Sequence, residues 1–198
     1  MIKKQYILAI MLAFLMIFSL TTGCLENEKE SDGIEEPSII LTVFYDDYQA
    51  NYSLENLEAL DSYTGTGAYI KDKFLPDDVI TDDVREYTGV RVTTLLEEIS
   101  DLPENYTVSI VCDDGYTKNF TMNQTLGYMD VYNETGTLMS NETAVMIVAY
   151  KENGSYYSEI DPENEIGPLI TAHVGNNTIY TSSGFWLEMV VSIEVLSN

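Results

Sequence analysis

The spacing of apolar positions changes several times along the chain, and each spacing predicts an element. Residues 38–45 (Ser-Ile-Ile-Leu-Thr-Val-Phe-Tyr) are β-branched and aromatic, which predicts a strand. In residues 53–60, Leu54, Leu57 and Leu60 share one helical face and Ser53 is placed to cap it, so a short helix is expected. Residues 61–89 are polar and rich in Gly, Thr and Asp, and they read as mostly loop with one strand. A second short helix is expected over 92–100, apolar at Leu95, Leu96 and Ile99. Residues 106–112 alternate as a strand, and Asp113-Asp114-Gly115 predicts a turn into a partner strand reaching Phe120. One helical turn fits 123–128. Residues 144–150 are almost wholly apolar, as in a central strand covered on both faces, and 168–174, 178–181 and 187–195 complete a β-rich set. The pattern predicts one β-rich α+β domain of mixed sheets with a few short helices over 38–198.

The N-terminus carries a different pattern. Two lysines, Lys3 and Lys4, precede an apolar run over 6–20, which has the length of a signal-peptide core and is short for a membrane span. The run ends in Leu20-Thr21-Thr22-Gly23-Cys24. This resembles the lipobox of prokaryotic lipoprotein signals, with Thr21 where an aliphatic residue is usual. The resemblance implies cleavage of residues 1–23, a lipid on Cys24, and an extracytoplasmic domain anchored to the membrane. Residues 24–37 are then an acidic, solvated tether.

Charge narrows the partners. The 198 residues carry 33 acidic and 9 basic side chains, and from Cys24 onward seven basic residues face all 33 acids, a formal −26. Such a domain repels phosphate backbones, which excludes a nucleic-acid partner. Asn-x-Ser/Thr occurs at Asn51, Asn105, Asn119, Asn123, Asn133, Asn141, Asn153 and Asn176, eight of 13 asparagines, where composition leads one to expect roughly two. These are glycosylation candidates, and together with the lipoprotein-like signal they favour an archaeal cell surface.

Three segments, in order, carry a resemblance over residues 38–196. Tyr87-Thr88-Gly89-Val90 leads into Thr94-Leu95-Leu96; Asp113-Asp114-Gly115-Tyr116 closes the strand begun at 106; and Gly167-Pro168-Leu169-Ile170 is followed by Phe185-Trp186-Leu187 and Val191-Ser192-Ile193-Glu194-Val195. They are similar to the motifs of the oxidoreductase molybdopterin-binding domain, the fold of sulfite oxidase and its relatives. The resemblance implies that fold, with Tyr87, Gly89, Asp114, Gly115, Tyr116, Gly167, Pro168 and Trp186 at its motif positions. It also implies a metal held by pterin dithiolene sulfurs and one cysteine thiolate from the loop before Tyr87. Here residues 62–86 contain no cysteine, and the whole chain has two arginines, Arg85 and Arg91. The fold is expected to carry over and the molybdopterin to be absent.

The remaining candidates are sparse. Cys112, the thiol left once Cys24 is lipidated, ends an apolar strand and reads as a small core hydrophobe. His173, the sole histidine, reads as a structural or surface residue, and Trp186 as core. The acidic pairs Asp77-Asp78 and Asp82-Asp83 are weak candidates for a hard cation, without the EF-hand spacing. The reading that results is a lipid-anchored binding or accessory module for an envelope protein or small solute. Its alternatives are a molybdopterin-dependent oxidoreductase with a noncysteine metal ligand, and a cation-dependent surface or adhesion module.

Overall fold

The computed structural model describes residues 37–70 and 83–198. The leader 1–23 with Cys24, the tether to residue 36, and Asp77, Asp78 and Asp82 lie outside the described residues. In chain order the strands are β1 (Leu41–Tyr45), β2 (Tyr48–Tyr52), β3 (Ser62–Ile70), β4 (Arg85–Arg91), β5 (Tyr106–Cys112), β6 (Thr117–Thr121), β7 (Val145–Glu152), β8 (Ser155–Tyr156), β9 (Ile170–Val174), β10 (Ile179–Ser182) and β11 (Val190–Ser197). The helices are α1 (Leu54–Ala59), α2 (Val92–Leu96), α3 (Met122–Thr125) and α4 (Tyr157–Ile160). Among the described residues no helix is long and apolar enough to cross a membrane.

The strands form two mixed sheets. One has the order β2-β1-β11-β5-β6, and the other runs β10-β3-β4-β7, with β8 and β9 both paired to β7. The first sheet closes through a parallel β1–β11 contact that sets Val43 beside Ile193. An antiparallel β11–β5 contact then sets Ile193 beside Ile110 and Val195 beside Val108. All five side chains enter one core, which also takes Met146, Val148 and Tyr150 from β7. The intervening Ile147 and Ala149 enter a second core on the opposite face, with Tyr87, Tyr157 and Ala172. This two-sided burial is why the sequence of β7 is apolar without alternation. Each such Ile, Leu or Val contributes about 1.5–3 kcal/mol when fully buried.

Helix α1 starts where its cap dictates. The Ser53 hydroxyl accepts from the Asn56 amide at 3.2 Å, and the Asn56 side-chain oxygen accepts from the Ser53 amide at 3.1 Å. That reciprocal box fixes the start of α1 and points Leu57 into the core. In and after α2, Leu95, Leu96 and Ile99 are buried as their spacing predicts.

One expectation is corrected. Within 61–89 the described residues, 61–70 and 83–89, are mostly strand and not loop: β3 is a nine-residue strand and pairs with β4 from Ser62 beside Val90 to Gly67 beside Arg85. Its polarity follows from its glycines, which let other backbones pack against it. A β-carbon on Gly67 would lie 2.5 Å from the His173 carbonyl oxygen, and one on Gly65 would lie 2.8 Å from that of Gly175. Glycine in a strand marks such close approach. The short elements β2, β8 and α4 were not expected from the spacing either.

Candidate functional site

A cleft of about 490 Å3 opens where the ends of β3, β4, β5 and β7 meet the segment between β10 and β11. Each element contributes for a local reason. The turn after β5 is set by Gly115 at φ +83°, whose amide donates to the Cys112 carbonyl, while the Asp114 carboxylate accepts from the Tyr116 amide at 2.8 Å. This turn leaves Asp114 and Tyr116 on the cleft wall, both exposed. A single 3-10 turn at Ser183–Phe185 delivers Trp186, whose indole N–H donates to the Thr181 hydroxyl at 2.8 Å. The indole packs against Tyr87 (5.2 Å between ring centroids) and Tyr69 (5.9 Å), so three aromatic rings from three elements line the same wall.

The polar lining is mainly anionic. Arg85 pairs with Glu152 at 3.4 Å, and Asp114 and Glu188 add two further carboxylates. Of the four basic residues among those described, only Arg85 lines the cleft. Arg91 pairs with Asp61 at 3.1 Å and Lys151 with Glu58 at 3.2 Å, both elsewhere. One guanidinium against three carboxylates leaves a formal −2 from the described lining.

Two buried groups stand at the back. Cys112 is nearly inaccessible, and burial, followed by the charges of Asp114 and Glu188, pushes its thiol above the ordinary range. The thiol is therefore neutral and unreactive at pH 7. Tyr157, from α4, is buried with no hydrogen-bond partner for its hydroxyl. Burial raises its pKa far above that of a free phenol, and the charge of Glu152 acts in the same direction.

The motif positions divide. Tyr87, Asp114, Tyr116 and Trp186 meet in the cleft, and Trp186 is half-buried on its wall rather than enclosed in the core. Gly89 is a packing residue, because a β-carbon there would lie 2.1 Å from the Val148 carbonyl oxygen. Gly115 shapes the turn without lining the cleft, and Gly167 and Pro168 border a separate hollow of about 330 Å3. Tyr69, Arg85, Glu152, Tyr157 and Glu188 were missed as site residues. They come from separate elements with no local motif, so only tertiary pairing reveals them.

The other candidates lie apart. His173 is fully buried in β9, not at the surface, among the rings of Phe120, Phe185 and Trp186, and it does not line the cleft. Asp83, the described member of its acidic pairs, is exposed, and among the described residues no three metal-capable side chains gather. Seven of the sequon asparagines are exposed and Asn133 is half-buried, its side-chain oxygen accepting from the Thr135 and Thr137 amides.

No protein-family model and no curated protein matches this chain. Among solved structures it is similar to the sulfane dehydrogenase SoxCD from Paracoccus pantotrophus, with a TM-score of 0.55 and 14% identity. The match covers 80% of this chain and 38% of that one, so this chain spans well under half the length of its structural neighbour. The likeness shows a shared fold, here a β-rich domain of mixed sheets with a few short helices.

Proposed function

We propose that this chain is a lipid-anchored extracytoplasmic protein whose sulfite-oxidase-like domain works as a ligand-binding or accessory module without molybdopterin. The observation that carries the reading is the charge of the cleft. A pterin phosphate and dithiolene are anionic and call for converging basic groups, whereas the described lining offers one guanidinium, already paired with Glu152, and two further carboxylates. The ligand set is also unsuited. The segment before Tyr87 has no cysteine, and Cys112, the one described thiol, is buried at the end of β5 instead. The residues present do not fit the cofactor of the fold class.

A module that had merely lost a cofactor would be expected to fill the vacated space with side chains. The cleft instead stands open at about 490 Å3, a size typical of small-molecule sites, which supports ligand binding over passive scaffolding. The open cleft with Asp114 on its wall is also what a molybdopterin enzyme with an oxygen ligand would require. Elemental and pterin analysis of protein purified from its native membrane separates the two. The expected result is no stoichiometric molybdenum or tungsten and no releasable pterin in folded protein. About one metal atom per chain would overturn the proposal and establish the oxygen-ligand enzyme in its place.

A further inference from the structure

We infer that the cleft binds a small organic ammonium ion, held against the half-buried Tyr69 and Trp186 rings, which the buried Tyr87 supports, and balanced by Asp114 and Glu188. This inference rests on the cofactor-free reading above and names the ligand class for the same site. Aromatic ring faces attract cations through their quadrupoles, and quaternary or alkylated ammonium groups exploit this best because their methyl groups are apolar while their charge is diffuse. The cleft supplies both halves of that recognition. The Trp186 ring, on the segment after β10, lies 5.2 Å from that of Tyr87 in β4 and 5.9 Å from that of Tyr69 in β3, and Tyr116 adds a fourth aromatic group at the rim.

The electrostatics select the same sign. Glu152 is neutralised by Arg85, and the Asp114 carboxylate has one oxygen engaged by the Tyr116 amide, while Glu188 is exposed. The excess charge of the described lining is thus negative and reachable from solvent. Both exposed carboxylates act electrostatically on the Cys112 thiol at the back, so their charges bear on the interior of the cleft and not only on its rim. An independent feature points to a ligand as well. The buried Tyr157 hydroxyl, without a partner among the described residues, lines the cleft and lies where the charges of Glu152 and Arg85 act on it. Buried polar atoms are rarely left unpaired, and one lining an open cleft marks a place for a polar partner, which the hydroxyl of a choline-like ligand supplies and tetramethylammonium does not. An anion would meet the carboxylates unfavourably, and a neutral apolar solute would leave them unbalanced.

The test is calorimetric titration of the full-length, metal-free and pterin-free protein with choline and with tetramethylammonium. 3,3-Dimethylbutanol, a neutral isostere of choline, and inorganic phosphate serve as controls. Saturable binding of both cations, weakened by salt, with neither control binding, is the expected result. The doubly neutralised variant Asp114→Asn, Glu188→Gln keeps the turn acceptor and alters only exposed side chains, so it should fold, and it should bind choline roughly tenfold more weakly. Tyr116→Ala, also at an exposed position, is expected to cost roughly twofold to fivefold. Equal binding of the neutral isostere, competition by phosphate, or unchanged affinity in the doubly neutralised variant would each overturn the inference. Absence of any cation binding to folded, cofactor-free protein overturns it too, and leaves the cofactor-free reading standing. Molybdenum and pterin in the native protein would remove both together, so the two failures are distinguishable.

Discussion

At the scale of single residues, His173 has the sharpest consequence. It is wholly buried, neither ring nitrogen has a hydrogen-bond partner among the described residues, and its stacked neighbour Phe120 comes from the other sheet. Burial lowers its pKa from 6.5 to about 3. The unfolded chain therefore binds a proton between roughly pH 6.5 and 3 that the folded protein refuses, and stability falls as pH falls through that window. The slope approaches about 1.4 kcal/mol per pH unit once the unfolded histidine is protonated. His173→Leu, which removes two unsatisfied polar atoms at similar volume, is expected to leave stability at pH 7 unchanged or higher. It should also flatten the decline between pH 6.5 and 4.5. Denaturant melts of both proteins across that range would show it, and an unchanged slope would mean the histidine is not responsible. Spacing along the chain placed His173 on a strand but could not say that Phe120 would cover it, since that contact joins residues 53 positions apart.

At the scale of elements, the cost of a substitution depends on what lies over the backbone. Gly89 sits where β4 shifts register against β7, and its missing side chain is what allows Val148 to come so close. Gly89→Ala must separate two central strands and should cost at least about 2 kcal/mol. Gly115→Ala meets nothing within 4 Å, so only its left-handed backbone is penalised, at roughly 1–2 kcal/mol. Thermal melts of the pair should rank them in that order, and a reversed order would contradict the packing role of Gly89. The same contrast explains what was legible. The Asp113-Asp114-Gly115 turn is local, so it was legible, and the strands on either side of it form as expected. Over 61–89, where β3 forms and β4 begins, mostly loop with one strand was expected because the reasons for pairing are nonlocal: Gly65 and Gly67 are read from sequence as loop signals, yet they serve the approach of residues more than 100 positions away. Four cleft residues were reachable through motifs, and the rest converge only after both sheets have formed.

At the scale of the whole molecule, charge dominates outside the core. The −26 carried from Cys24 onward far exceeds what seven basic residues can offset, and among the described residues ion pairs engage Arg85, Arg91 and Lys151. Self-repulsion of this kind destabilises the compact state, and dissolved salt screens it, since the Debye length falls from about 10 Å at 0.1 M to about 3 Å at 1 M. The melting temperature at pH 7 is therefore expected to rise steadily over that range of sodium chloride. Near pH 4, where many carboxylates are protonated, the same salt series should produce a smaller rise. The histidine effect has the opposite sign on the acid side, but it begins near pH 6.5, above the carboxylate range, and the rings found around His173 carry no charge for salt to screen. A melting temperature mapped against both pH and salt thus separates the two. Loss of stability from pH 6.5 to 4.5 that persists at high salt belongs to His173, and the salt-dependent part at pH 7 belongs to the acidic surface. A salt series that is flat at pH 7 would show that the charges are too widely spaced to matter, and the acidity would then bear on solubility and on ligand choice in the cleft rather than on folding.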